Sequence, residues 1–443
     1  MNPTFAHALR ALRHRNFRLF TIGQTTSLIG TWMQQVAVGW LVYRLTDSAL
    51  LLGLTAFVSQ GPSFFLAPLA GVLADRFDKR RIVLVTQSVM MVQAAALATL
   101  VLTGHTSIGL IITLMAVLGA AVGFDIPARQ AFLIEMVGDK DDLPNAIALN
   151  SSMFNASRLV GPAIAGLLVA AAGEGICILI NTLTYTAVLA ALLAMRLPDR
   201  PANSTRLEVF RNLAEGVRYA FRSRPMRAIL ALVAFTSFVA VPFTVLLPIL
   251  ASDILGGGAE FLGFLTSAVG LGALSGALYL ASRRSIRGLG KVITFAATVF
   301  GSALLAVALS RSLWITLPFL TLAGFGMMVQ MASANTVLQT LVADDKRGRI
   351  MSLYSMSFTG VAPIGSLAAG AVASAFGAPA TFALGGAGCL LAAAIFGGRI
   401  PSLRDVVRPL YDRLGILPEV ARGIQAVTHD VTPPDPDSDG PKS

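Results

Sequence analysis

The chain carries little charge for its length. Asp, Glu, Lys and Arg make up 13% of the 443 residues, whereas 55% are apolar and the mean hydropathy is +0.72. Soluble globular domains are about one quarter charged, because their surface has to be polar. A chain with so little charge cannot cover itself with a polar surface in water. The composition therefore excludes an ordinary soluble protein and predicts an integral membrane protein.

Residues that bind metals or carry catalysis are also scarce. The two cysteines, Cys177 and Cys389, lie far apart in apolar runs without metal-ligand spacing, so we expect them to serve packing. The four histidines lie in loops or near the termini, and neither a metal site nor a catalytic triad is predicted. The sequence holds no Gly-x4-Gly-Lys-[Ser/Thr] phosphate loop, which argues against ATP as the direct energy source. We therefore expect neither enzymatic activity nor a bound cofactor.

Long apolar runs recur along the chain. A spanning helix needs about 20 mainly apolar residues. Such runs lie at 17–43, 50–74, 82–103, 108–133, 143–172, 175–195, 228–252, 262–282, 292–309, 313–334, 350–376 and 379–397. The basic N-terminus lacks the cleavage signal of a secretory peptide, so the first run is expected to remain as a helix. We predict an all-α integral membrane protein with twelve transmembrane helices in two six-helix pseudo-repeats, residues 1–195 and 227–399.

The two predicted halves resemble each other around their fourth and fifth helices. The first half reads RQAFLIEMVGDKDDLPNAIALNSSM where the second reads ANTVLQTLVADDKRGRIMSLYSMSF. Gly161 and Gly166 fall opposite Gly365 and Gly370, at an offset of about 205 residues. Parallel six-helix repeats are an architecture of transporters, whose site lies between the halves near the membrane midplane.

Basic residues are concentrated in every second connection between the predicted helices. They cluster before the first helix, between helices 2 and 3, 8 and 9, and 10 and 11, and in the middle segment. The connections on the other side hold only Arg44 and Arg311. The positive-inside rule then places both termini in the cytoplasm. Because the net charge of +11 is spread over these connections, no nucleic-acid partner is expected.

Two segments outside the spans have their own patterns. Residues 196–226 begin with a capping box, Thr205 to Glu208, and continue with apolar residues at helical spacing. They predict an amphipathic linker helix on the cytoplasmic membrane surface. The tail, 400–443, begins amphipathic and ends in TPPDPDSDGPKS. That ending cannot bury apolar surface, so we predict a cytoplasmic tail with a disordered end.

The connection between helices 2 and 3 holds the most specific motif. It reads GVLADRFDKRR from Gly71 to Arg81 and resembles the signature loop of the major facilitator superfamily. Asp78 stands where that family usually has a second glycine. The resemblance implies a conformational latch formed by Gly71, Asp75, Arg76 and Arg81. The alternative is that this segment is an ordinary basic cytoplasmic loop.

Helix 5 carries a second motif, with Gly161, Pro162 and Gly166. It resembles the Gly-Pro motif of exporters in this superfamily, although Ala165 replaces a usual glycine. Packing of a small-residue helix face is the alternative to a direct role in antiport. The stretches GTWMQQVAVGWLVYRLTDSALLLG and GFDIPARQAFLIEMV are similar to the subfamily of the enterobactin exporter and macrolide-efflux proteins. The resemblance covers nearly all of residues 5–400 and implies a bacterial inner-membrane exporter. It does not fix the substrate.

Charged residues inside the spans are few, and such residues often mark transport sites. Asp125 lies within helix 4, Arg129 one turn beyond it, and Arg158 near the middle of helix 5. Asp125 and Arg129 can pair on one helix face, and Arg158 and Arg76 are further candidate partners of Asp125. We predict Asp125, Arg129 and Arg158 as a proton-coupling network. The alternative is a structural ion pair between helices 4 and 5.

Polar, sulfur-containing and aromatic residues in three helices, 1, 7 and 10, are candidates for a substrate cavity. Gln24, Thr31 and Gln35 follow one stripe of helix 1, and this superfamily lines its cavity with helices 1, 4, 7 and 10. The remaining candidates are Phe235, Phe238, Gln330, Met331 and Asn335. Flexible sulfur, aromatic rings and amides suit a bulky amphipathic ligand. Interhelical hydrogen bonding and ordinary core packing are the alternatives.

The sequence as a whole predicts a secondary active transporter that exports small hydrophobic or amphipathic molecules, of the drug or siderophore type. Proton-coupled antiport by alternating access is the expected mechanism, with the proton gradient as energy source. The expected partners are a small-molecule substrate and the lipid bilayer, and we expect a monomer. Helix 1 lacks a central acid, so coupling through the substrate's own charge, or uniport, stays open. Uptake, lipid movement and a non-transporting membrane scaffold or sensor are the alternative functions.

Overall fold

The computed structural model describes residues 10–137, 141–196, 217–283, 288–343 and 346–413, with backbone alone at 67–68, 71–72, 74–75 and 402–413. The described residues are almost entirely helical. A short 3-10 turn, Arg10–Arg13, precedes the first long helix. The helices are α1 Arg15–Thr46, α2 Ala49–Arg76, α3 Lys79–Leu102, α4 Ile108–Val137, α5 and α6 within Leu143–Ala194, α7 Arg224–Ile254, α8 Ala259–Ser282, α9 Leu289–Leu309, α10 Leu313–Leu341, α11 Arg347–Phe376 and α12 Ala378–Arg413.

The longest helical stretch is broken by one glycine. Leu143–Ala194 runs for 52 residues, but Gly173 has φ 81° and ψ 168°, a backbone conformation that residues other than glycine rarely adopt. The break divides the stretch into α5, residues 143–172, and α6, residues 174–194. At 1.5 Å per residue, an unbroken helix of this length would measure about 78 Å, against a hydrocarbon core of about 30 Å.

Helix α7 is irregular in its second half. Its regular part ends at Val239, and a 3-10 segment, Val241–Leu246, and a π turn, Leu250–Ile254, follow. Pro242 and Pro248 lie in this region, and proline removes a backbone donor and disturbs the regular helical ladder. Apolar periodicity alone predicts a regular helix here and does not reveal this irregularity.

Ten helices of the described part are long and apolar enough to cross a membrane, with Leu143–Ala194 counted once. Helix α1, which carries the polar stripe, is not among the ten. The expected multi-pass, all-helical membrane protein is confirmed.

The helices up to Gly397 belong to one compact unit, and the residues from Gly398 onward to a second. The second unit is described only to Arg413, at the end of α12. Most of the predicted amphipathic linker, 197–216, and the end of the predicted tail, 414–443, lie outside the described residues. Residues 217–222 are helical.

Helices α1–α6 pack mainly against one another, as do α7–α12. In the first group α1 lies against α5 and α6, α2 against α4, and α3 against α4. In the second group α10 lies against α8 and α9, and α7 against α11. The two groups meet along two helix pairs, α5 with α8 and α2 with α11.

Both helix pairs between the groups depend on facing glycines. A Cβ on Gly166 would lie 2.7 Å from the Cα of Gly263, and a Cβ on Gly53 would lie 3.1 Å from the Cα of Gly370. Small residues allow such close backbone approach in membrane helices. In the predicted repeat α5 corresponds to α11 and α2 to α8, so the same contact occurs twice.

The glycine contacts lie toward one end of the bundle. We call the end where α1 begins and α2 ends the basic end, since Arg15, Arg76 and Arg81 lie there. Gly53 is near the start of α2 and Gly370 near the end of α11, so their contact lies toward the opposite end. At that end Tyr43 Oη also donates to Asp253 Oδ2 at 2.5 Å, joining α1 to α7. The two groups are thus closed together at the opposite end.

A buried carboxylate holds the N-terminal segment at the basic end. Asp142, just before α5, forms ion pairs with Arg10 and Arg13, the latter at 2.8 Å, and His14 Nε2 lies 2.8 Å from its Oδ2. Asn145 Oδ1 accepts from a backbone N–H of the 3-10 turn at 2.9 Å. Burial raises the pKa of Asp142, but the His14 hydrogen bond and the charges of Arg10 and Arg13 outweigh it, and its pKa falls below the ordinary value.

Replacing Gly263 by leucine is expected to push α5 and α8 apart, because the new side chain would meet the backbone of α5. We expect a loss of about 1–3 kcal/mol in unfolding free energy, typical of overpacking. Gly109→Leu is the matched control, because Gly109 has no neighbour within 4 Å. Unfolding in mixed detergent micelles measures both. Equal stabilities would show that Gly263 does not limit the helix spacing.

The second prediction concerns pH. The Asp142 carboxylate has a lowered pKa, so its contribution to stability is complete above its ordinary value of 3.8 and is lost as the pH falls through its folded value. Asp142→Asn should therefore melt at a lower temperature than wild type at neutral pH, and the difference should shrink below pH 3.8. Asp47→Asn, at an exposed position whose left-handed φ of 44° asparagine also adopts, is the control. A melting difference independent of pH would contradict the assignment.

Candidate functional site

Asp125 is a buried carboxylate in the middle of the first helix group. It lies on α4 with 2% of its surface exposed. Thr86 Oγ1 and Gln87 Nε2, both on α3, donate to its Oδ1 at 2.9 and 3.0 Å. Arg129, one helical turn along, places Nε 3.3 Å from Oδ2. The carboxylate therefore accepts hydrogen bonds from two neutral donors and pairs with one cation. The spacing of four residues in the sequence predicted the pair with Arg129.

The wider contacts considered for Asp125 are not present. Arg158 and Arg76 are not ion-pair partners of Asp125 in this structure, and among the described side chains no acid pairs with Arg158. Sequence separation alone does not show whether Asp125 and Arg158 meet, because helix packing determines which faces of α4 and α5 are in contact. The three residues predicted as one network are thus a pair, Asp125 with Arg129, and a separate arginine.

Arg158 lies instead over an aromatic ring. Its guanidinium carbon is 5.7 Å from the ring centroid of Trp32 on α1, within the range of a cation–π contact. Trp32 also packs edge-on against Phe154, with ring centroids 5.7 Å apart. Sequence reasoning did not single out Trp32, because its partners are distant in the chain.

The exporter-type motif of α5 makes close helix contacts. A Cβ on Gly161 would lie 2.6 Å from Trp32 Cβ and 2.9 Å from the carbonyl oxygen of Ile29, so Gly161 allows α5 to lie directly against α1. A Cβ on Gly263 of α8 would lie 2.8 Å from the carbonyl oxygen of Pro162. Gly166 makes the glycine contact with α8 described above. The motif therefore packs α5 against one helix of each group, which agrees with the packing alternative.

The predicted latch is only partly described. The backbone of Gly71 and Asp75 belongs to α2, and the Asp75 side chain is outside the described residues. Arg76 and Arg81 are exposed, and Arg81 is 3.8 Å from Asp78. Among the described residues, neither Arg76 nor Arg81 forms an ion pair with the second helix group.

Neighbouring residues of the same loop make the firm contacts. Asp78 caps α3, since its Oδ1 accepts from the N–H of Arg80 at 2.8 Å. The Arg80 side chain donates to two carbonyls at the end of α6, at 2.8 and 3.0 Å. Lys79 pairs with Glu135 at the end of α4 at 2.7 Å. Asp78, which departs from the family motif, is thus a helix cap, a function that its position before a basic helix start could have revealed.

The polar stripe of α1 divides between buried and open positions. Gln24 is buried, Thr31 is half-buried, and Gln35 is exposed. The adjacent Gln34, which was not predicted, forms hydrogen bonds to two other helices. It donates to Gln93 of α3 at 3.2 Å and accepts from Asn181 of α6 at 2.5 Å. Interhelical bonding therefore accounts for part of the polar surface of α1.

The candidates in the second helix group also differ in exposure. Gln330 is buried and donates to Thr236 Oγ1 at 2.9 Å, within that group. The Met331 side chain is buried, and Asn335, half-buried, accepts from Gln339 at 2.6 Å. The rings that remain open are those of Phe235 and Phe238, 42% and 39% exposed. In this conformation Gln24, Gln330 and Met331 are thus placed in helix packing rather than on an open surface.

No group of three metal-binding side chains occurs among the described residues. The site consists of the buried Asp125–Arg129 pair, the Arg158–Trp32 contact and the exposed positions of α1 and α7.

Comparisons with known proteins agree with this architecture. The chain is 27% identical over 373 residues to the staphyloferrin A transporter of Staphylococcus aureus, covering 83% of this chain and 92% of that protein. It is also 27% identical over 381 residues to the multidrug efflux pump Tap of Mycolicibacterium fortuitum, covering 82% and 90%.

A solved structure shares the fold. It is a bacterial homologue of the human lysosomal transporter Spinster in an inward-facing, unoccupied conformation, with a TM-score of 0.64, 13% identity, and coverage of 93% of this chain and 98% of that one. The model of one family, described as transmembrane secretion effector, matches residues 6–407. The chain therefore belongs to the transmembrane secretion effectors, a family of major facilitator-type transporters.

Proposed function

We propose that this protein exports small hydrophobic or amphipathic molecules by proton-coupled antiport. The observation that carries the proposal is the buried Asp125–Arg129 pair in a chain of a transporter family. The efflux pump named above, which matches along most of both chains, supports export as the direction. The same comparison and the siderophore transporter support a drug-type or siderophore-type substrate.

The proposed topology has twelve crossings. The break at Gly173 would make α5 and α6 two separate crossings, and α1 would add one to the ten apolar helices. The basic end would face the cytoplasm of a bacterial cell, following the positive-inside rule. Both termini would then be cytoplasmic, and the opposite end, with Tyr43 and Asp253, would face outward.

Alternating access would come from rocking of two halves, residues 1–195 and 227–399. The helix pairs α5–α8 and α2–α11 would be the contacts about which they move, because facing glycines let the backbones slide at close range. The hydrogen bond from Tyr43 to Asp253 helps to close the bundle at the outward end. Substrate would therefore enter this conformation from the cytoplasm.

Asp125 would carry the proton. A charge in the membrane centre costs roughly 2.5–3.5 kcal/mol on insertion scales, and the ion pair with Arg129 offsets that cost. Protonation of Asp125 would leave the charge of Arg129 unbalanced, and the protein would then favour a conformation that gives Arg129 another environment. Proton binding and conformation are coupled in this way.

The test is gradient-driven flux in proteoliposomes. Wild type with its basic end facing the bath should accumulate a fluorescent lipophilic dye faster when the interior is acidic. Asp125→Asn should reduce this flux to the rate measured without a gradient, because the residue can no longer release a proton. Asp47→Asn, at an exposed position at the other end of the bundle, should behave as wild type.

Two results would contradict parts of the proposal. Flux that responds to the gradient in Asp125→Asn would remove Asp125 as the coupling residue. A wild-type protein that moves neither dyes nor chelators in either direction would count against transport and favour a scaffold.

A further inference from the structure

Arg158 is a positive charge that no carboxylate of the described residues balances. Its helix, α5, runs from 143 to the break at Gly173, so Arg158 lies at the middle of the helix, about 22 Å from the first residue. The buried acids of the described residues, Asp125, Asp142 and Glu174, each pair with an arginine other than Arg158. Among the described residues no carboxylate pairs with Arg158. A guanidinium at this depth is costly unless an anion accompanies it.

The location of Arg158 is between the two helix groups. A Cβ on Gly270 of α8 would lie 2.9 Å from the carbonyl oxygen of Arg158. Ser267, also on α8, donates to the carbonyl oxygen of the next residue, Leu159, at 3.2 Å. Arg158 therefore lies where α5 crosses α8, and its side chain points to α1. Transporters built from two such halves bind their substrates at this level.

Aromatic rings lie beside the guanidinium. Trp32 is 5.7 Å from Arg158 and contacts Phe154, which is 43% exposed. Gly161 sets this arrangement, because a larger residue would displace Trp32. The cation–π contact orients the guanidinium but leaves its N–H donors available, and these donors bind a carboxylate in fork geometry.

We propose that Arg158, held over Trp32, is the subsite for an anionic group of the substrate, with the rings of Trp32 and Phe154 against its apolar part. The inference rests on the proposed transport function and narrows the substrate class to amphipathic anions, carboxylates above all. It also supplies a driving force, because a membrane potential that is negative inside favours outward movement of an anion.

Trp32 itself can report binding. The chain has three tryptophans, Trp32, Trp40 and Trp314. Replacing the other two by phenylalanine leaves Trp32 as the sole indole. In nanodiscs of neutral lipid, 4-nitrobenzoate should quench its fluorescence saturably. The uncharged 4-nitrobenzamide should need a concentration about tenfold higher or more, because it lacks the charge-assisted hydrogen bonds.

Variants of Arg158 in the same background separate charge from packing. Arg158→Gln should remove the preference for the anion and leave amide quenching unchanged, and Arg158→Lys should retain part of the preference. Arg18→Gln, the same change at an exposed position near the start of α1, should leave the preference intact. If wild type does not distinguish the two probes, or if the lysine and glutamine variants lose the preference equally, the subsite is disproved.

Flux measurements keep this inference distinct from the transport proposal. In proteoliposomes, Arg158→Gln should lose flux of 4-nitrobenzoate while still moving an uncharged lipophilic dye. A variant that moves both compounds as wild type does would overturn the subsite and leave transport in place. A wild-type protein that binds the anion but moves no compound would overturn the transport proposal instead.

Discussion

The close approach of helix backbones at facing glycines is the constraint on which the rest of the structure depends. Lipid offers no hydrophobic driving force between helices, so packing of small residues has to hold them together. Gly166 with Gly263 and Gly53 with Gly370 join the two helix groups toward one end. Gly161 brings α5 against α1 and thereby sets the distance between Arg158 and Trp32.

The few charges of the chain follow from the same environment. Near the helix ends, ion pairs tie segments together, as Asp142 does for the N-terminal turn and Lys79 with Glu135 for α3 and α4. Deep in the bundle Asp125 is compensated by Arg129 and by two neutral donors. Arg158, by contrast, has no carboxylate partner among the residues that the structure describes. An anion that enters the bundle during transport would offset the free-energy cost of burying this guanidinium.

Particular elements show how far sequence reasoning reached. The predicted run 82–103 corresponds to Lys79–Leu102, and the predicted gap between 172 and 175 contains the break at Gly173. The polar stripe of α1 was found, but Gln34, which bonds to two other helices, lies beside the stripe. The spacing of glutamine and asparagine in the sequence does not distinguish a cavity position from a helix contact, because neutral amides occur in both environments.

Composition and apolar run length determined by themselves that the chain is a helical membrane protein, because a bilayer demands about 20 apolar residues for each crossing and tolerates little charge. The spacing of four residues also placed Asp125 beside Arg129. Only the tertiary structure decided that Arg158 lies over Trp32 rather than on Asp125, and that Asp142 holds three basic groups. These contacts join residues more than a hundred positions apart, and the side chains that meet depend on how each helix is rotated when it packs.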